Sequence, residues 1–99
     1  MEEQDLQAFI GKPLTVYLPG ATVELELTDV RALPPRMVPG LRQKPFKLTF
    51  RGPQVPHYTE ALPRQVHALH AADGAVFSIY LEPIVSTGEA GMLYEAIFD

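Results

Sequence analysis

The sequence predicts a mainly all-β fold, a small six-stranded antiparallel barrel or rolled sandwich with one short N-terminal helix. Three observations carry this. Several segments alternate apolar and polar residues with a period of two, the period of a half-buried strand. Ten prolines and seven glycines are spread along the whole chain as punctuation between short elements instead of being gathered in a tail. A chain of 99 residues favours closing or rolling such a sheet over leaving two free edges. The same length leaves room for one domain, a single β-rich unit over residues 1–99.

Residues 1–11 read as the short helix. Leu6, Phe9 and Ile10 fall at helical spacing, Glu2, Glu3 and Asp5 suit a helix N-terminus, and Gly11 can end the turn. Residues 12–33 read as a hairpin of strands 12–18 and 22–33 around Pro19-Gly20. In its second strand Val23, Leu25 and Leu27 alternate with Glu24, Glu26 and Thr28. Asp29 then falls on the apolar parity and Val30 falls off it. One extra residue near Thr28 or Asp29, a β-bulge, returns Val30 to the core.

Residues 34–45 form a proline-rich basic loop, because proline removes donors and restricts the residue before it. A loop of that length in a compact domain is often functional or mobile. Phe46, Leu48 and Phe50 alternate with Lys47, Thr49 and Arg51 in the clearest strand, stopped by Gly52-Pro53. After a second irregular loop over 53–63 come strands at 64–70, 75–83 and 92–98, separated by Ala71-Ala72-Asp73-Gly74 and the turn-rich 86–91. The last two strands are apolar on both parities. Phe77, Ile79 and Leu81 share one face and Val76 and Tyr80 the other; Leu93 and Ile97 oppose Tyr94, Ala96 and Phe98. A second apolar face needs a cover, supplied by the N-terminal helix, by Met37-Val38 of the loop, or by a partner protein.

Composition narrows the chemistry. With 46% hydrophobic and 20% charged residues the chain has the make-up of a folded globular domain. The absence of cysteine excludes disulfides, zinc ribbons and thiol nucleophiles. The acidic start Met1-Glu2-Glu3-Gln4-Asp5 lacks the basic region of a secretory signal, and no apolar run approaches the roughly 18 residues of a membrane span. The expected location is the cytoplasm.

His57, His67 and His70 are the residues to weigh for metal or acid–base work, yet in a strand His67 and His70 point to opposite faces. No zinc-like spacing occurs, and surface or satisfied core histidines account for them. Ser78 and Ser86 lack a nucleophile elbow. Glu24 and Glu26 share a wet strand face, where acids are usually solubilising. No phosphate-cradling glycine motif occurs. No catalytic residue, metal ligand or cofactor is therefore expected.

Charge is segmented: residues 1–30 carry a net −5, residues 31–64 a net +6 and residues 65–99 a net −5 with no base at all. The basic middle can grip an acidic partner or a phosphate backbone, or it can pair with the acidic strands of its own sheet. The second reading needs no partner and is preferred. Overall acidity also argues against nucleic acid.

The run Pro45-Phe46-Lys47-Leu48-Thr49-Phe50-Arg51-Gly52-Pro53, the step Leu62-Pro63 before a strand ending in His70, and the closing Tyr94-Glu95-Ala96-Ile97-Phe98 resemble, in order, a family of short bacterial proteins of unknown function. The stretch Val23-Glu24-Leu25-Glu26-Leu27-Thr28-Asp29-Val30 resembles that family's second strand. Residues 34–40 and the loop His57-Tyr58-Thr59-Glu60 look longer than the family's pattern. The resemblance carries no activity. It implies an accessory or assembly factor, or chaperone, for a phage-tail-collar-like fibre or surface protein.

The expectation is thus a non-enzymatic protein–protein interaction domain, with a homodimer also allowed by the two-sided strands. Its expected partner-binding residues are Arg36, Met37, Val38 and Arg42 on the basic loop, Arg51 at the strand end, and Val76, Tyr80 and Tyr94 on the second apolar face. Arg51-Gly52-Pro53 also reads as a structural corner, with Arg51 paired to Glu95 across the sheet. The alternative is a small-ligand binder or enzyme using a barrel mouth that holds His57, His67 and His70.

Overall fold

The computed structural model describes residues 3–34, 45–53, 62–84 and 92–98. Six strands, β1 (Pro13–Leu18), β2 (Ala21–Ala32), β3 (Phe46–Gly52), β4 (Gln65–Ala71), β5 (Val76–Ile84) and β6 (Met92–Phe98), follow a helix α1 (Glu3–Gln7). Every pairing is antiparallel, and the strands close into a barrel in the order β1-β2-β3-β6-β5-β4. Closure satisfies the strand edges that an open sheet of this size would leave unpaired.

Local chemistry sets the hairpins. Leu18 faces Ala21 across Pro19-Gly20, and Gly20 takes the left-handed φ of +74° that follows proline in a type II turn. Between β4 and β5, Asp73 Oδ1 accepts the Ala75 N–H and Gly74 has φ +94°. In β2 the register against β3 shifts between Leu27 and Asp29, so Thr28 is the extra residue and Val30 returns to the inner face opposite Leu48. Its hydroxyl donates to the Thr49 carbonyl at 3.1 Å, which fixes the bulge to the partner strand.

Leu14, Leu25, Leu27, Phe46, Leu48, Phe50, Leu69, Ile79, Leu81 and Tyr94 fill the interior. Burying a side chain of this kind is worth about 1.5–3 kcal/mol, and these inward positions supply most of the driving force for closure. Helix α1 contributes Leu6 to the same buried cluster, and the Phe9 ring meets inward-facing Phe77 edge-on at 5.1 Å. The backbone N–H of Gly11 then donates to the Leu27 carbonyl at 2.8 Å. The helix thus stops one end of the barrel and does not cover the outer faces of β5 and β6, one of the roles open to it from the sequence.

Pairing is uneven around the barrel. The β3–β6 ladder runs from Phe46↔Phe98 to Gly52↔Met92. Among the described residues β1 pairs β4 only at Leu14↔Ala71 and Thr15↔His70, and β5 pairs β6 only from Glu82↔Glu95 to Ile84↔Leu93. The β4–β5 hairpin is therefore joined to the rest of the barrel by two short seams, and a cleft lies at each.

Candidate functional site: an apolar outer face on β4, β5 and β6

Because side chains alternate across a strand, the inner parity of each strand fixes what its other face shows to water. On β2 and β3 the outer face is charged: Glu24, Glu26, Asp29 and Arg31 on one strand, Lys47 and Arg51 on the other. Five of these six residues meet in three ion pairs along the barrel wall. Arg51 pairs with Glu26, its direct neighbour across the ladder, Arg31 reaches Asp29 at 3.6 Å, and Lys47 reaches Glu95 of β6 at 3.6 Å. Arg31, Lys47 and Arg51 of the middle segment thus pair with acids of their own sheet. Exposed pairs of this kind contribute about 0.2–1 kcal/mol each. The sequence-based expectation that Arg51 pairs with Glu95 is corrected: Glu26 sits directly opposite Arg51 and pairs with it, and Lys47 takes Glu95 instead.

The outer face of β4, β5 and β6 differs in kind. Val66 is 59% exposed, Val76 52%, Tyr80 48% and Ile97 54%. Val66 stands directly opposite Tyr80, and Val76 opposite His70. Tyr17 of β1 extends the surface, its ring meeting His70 edge-on at 4.8 Å. Glu82 and Glu95 are the charged outward residues of this region, at one border of the patch. Strand faces turned to water are ordinarily polar in half-buried sheets, so Val66, Tyr80 and Ile97 on the neighbouring strands β4, β5 and β6, with Val76 further along β5 beyond Ser78, are the feature of this surface that packing inside the barrel leaves unexplained.

Of the expected partner-binding residues, Val76 and Tyr80 lie on this face. Arg51 is exposed but belongs to the charged side. Arg36, Met37, Val38 and Arg42 lie outside the described residues. Tyr94 is corrected: it is 1% exposed and points into the barrel. Its partner strand decides this, because Phe46, Leu48 and Phe50 of β3 stand opposite Phe98, Ala96 and Tyr94, so these share the inner face. The Tyr94 hydroxyl accepts the buried Leu62 N–H at 3.0 Å. Burial raises the Tyr94 pKa above its usual value of 10.0, partly offset by that hydrogen bond. Val66 and Ile97 are the residues sequence reasoning did not assign to the face. Glu95, on the parity of Leu93 and Ile97, is the signal that marks their side of β6 as the wet one.

Of the histidines named for the barrel-mouth alternative, the two that are described, His67 and His70, lie on opposite faces of β4. His67 points inward, and its Nε2 donates to the Pro63 carbonyl at 2.8 Å, whereas His70 lies on the outer face; His57 is outside the described residues. Among the described residues no group of three or more His, Cys, Asp or Glu side chains is placed to hold a metal ion. No helix there is long and apolar enough to cross a membrane.

The family model described as "Domain of unknown function (DUF6916)" matches residues 1–98. The chain belongs to the DUF6916 family. Neither a curated protein nor a solved structure matches it. What this DUF6916 domain does must therefore be argued from its own surface.

Proposed function

We propose that this DUF6916 domain is a non-enzymatic protein–protein interaction module of the cytoplasm that takes its partner on the outer face of β4, β5 and β6. The observation that supports this is the group Val66, Tyr80 and Ile97 on neighbouring strands, with Val76 further along β5, each about half exposed. Covering such side chains removes apolar area from water at about 25 cal/mol per Å², and clustered exposed apolar side chains are what a partner surface presents. Barrel closure favours a face over an added strand, since the described strands have neighbours on both sides. The finer reading is an accessory or assembly factor, or chaperone, for a fibre-like or surface protein, whose β-rich chain would offer apolar faces of its own during assembly. It rests on the family resemblance of the sequence.

Affinity purification of the tagged protein from its host tests the reading when a face variant is run beside the wild type. A stoichiometric companion should co-elute with the wild type and with Glu24→Gln on the charged side, and be lost with Val66→Asp. A wild type that elutes alone, or a companion that Val66→Asp retains, would contradict the proposal.

A further inference from the structure

At the border of this face the β5–β6 ladder ends at Glu82↔Glu95 and does not continue to Tyr80 and Ile97. A cleft of about 270 Å³ opens there, lined by Tyr80, Glu82, Glu95 and Ile97. We propose that this cleft receives an arginine side chain of the protein partner, an inference that rests on the reading of the domain as a protein-binding module. The cleft lies at the lower end of the roughly 300–1,000 Å³ range of small-molecule sites, room enough for one long side chain.

The lining selects the chemistry. Glu82 and Glu95 are direct neighbours across the ladder, an arrangement that is unfavourable for like charges. Lys47 reaches Glu95 at 3.6 Å, while Glu82 has no ion-pair partner among the described residues. Residues 65–99 contain no base that could provide one from the same strands. The half-exposed Tyr80 ring offers a face on which a guanidinium can stack, and Ile97 offers an apolar wall for the methylene stem. Among the described residues the cleft offers two carboxylates, one of them already engaged, short of the roughly six to eight oxygens a calcium ion takes. Charge also argues against a second copy of this chain as occupant. An isologous contact through this face would bring two Glu82 and two Glu95 side chains together with two lysines, leaving the acids in excess.

The test is an NMR titration of the isotope-labelled full chain with N-acetyl-arginine methylamide, and with the citrulline analogue, which keeps the shape and removes the charge. The arginine probe should shift Tyr80, Glu82, Glu95 and Ile97 amides saturably and bind about fivefold or more tighter than citrulline, the scale of one charge-assisted hydrogen bond. Glu82→Gln, which also relieves the like-charge contact and so should fold, is expected to erase that preference. Lys47→Gln frees Glu95 and is expected to strengthen arginine binding. Equal binding of citrulline, shifts spread evenly over Glu24, Asp29 and Glu82, or no saturable shift would each overturn the inference. The interaction reading is judged separately by Val66→Asp, since Val66 lies outside the cleft: a companion lost with Val66→Asp alongside a failed arginine titration refutes the cleft alone.

Discussion

Gly52→Ala probes the packing that closes the barrel. Gly52 ends β3 opposite Met92 and is buried, and it does not occupy the left-handed region, so alanine is conformationally allowed and the effect is steric. A Cβ there would lie 2.8 Å from Leu25 Cδ2 and 3.0 Å from Tyr94 Cε2, against 3.4–4 Å for ordinary contact. Each neighbour must move by several tenths of an ångström. Leu25 can turn its methyl only into a filled interior, and Tyr94 is tied to Leu62 through its hydroxyl. Overpacking of a core by one methyl costs about 1–3 kcal/mol, and the reduced freedom of the unfolded chain returns about 0.4–1 kcal/mol. The net expectation is a loss of about 1–2 kcal/mol, or roughly 5–15 °C in Tm for a domain of this size. Urea unfolding followed by far-UV circular dichroism measures it, the chain having no tryptophan to report. The double variant Gly52→Ala/Leu25→Val removes the offending Cδ2 and should be less destabilised than the two single effects combined, by about 0.5–1 kcal/mol. A Gly52→Ala protein as stable as the wild type, or strict additivity in the double variant, would refute the packing described here.

Tyr94→Phe leaves the buried Leu62 N–H without an acceptor and is expected to cost about 1–3 kcal/mol, read from the shift in urea midpoint. Its pH dependence follows from the raised pKa of Tyr94: the folded chain holds the phenolic proton above pH 10, where the unfolded chain releases it. Stability from this group is present below about pH 10 and falls as pH rises above it, with a limiting slope of about 1.4 kcal/mol per pH unit. Midpoints measured at neutral and alkaline pH should show that component in the wild type and not in Tyr94→Phe. Arg51→Ala should cost no more than about 1 kcal/mol, because its pair with Glu26 is exposed; thermal melts that show a loss above about 2 kcal/mol would reveal a structural role for the corner that the ion pair does not explain. Native-state hydrogen exchange should open the amides flanking the two short seams, near His70 and Tyr80, before those of Leu48 and Ala96 in the full β3–β6 ladder.

Strand positions were legible in the sequence because alternation is a direct imprint of the pleat. The bulge was legible because Asp29 and Val30 broke that alternation by one residue, and the turn at Pro19-Gly20 because few residues accept its backbone angles. The partly helical segment 3–10 shows the limit of such reasoning: the helix stops at Gln7, and turns carry the chain to Gly11. Strand order was not legible, and with it went the partner of Arg51 and the facing of β6. A strand that is apolar on both parities does not state which face is inside; Tyr94 was misplaced for that reason, and the β3 register resolves it. Val66 escaped notice because it stands between Gln65 and His67, polar residues that suggest a wet strand, although His67 is in fact the inward one.

Site-specific photo-cross-linking in the native host tests most directly whether a protein partner docks on the outer face of β4, β5 and β6. A benzophenone side chain placed at Val66 should yield one discrete covalent adduct of higher mass, and the same group at Glu24, on the charged wall of the barrel, should yield none. Adduct formation from position 24 alone, or from neither position, would contradict the account.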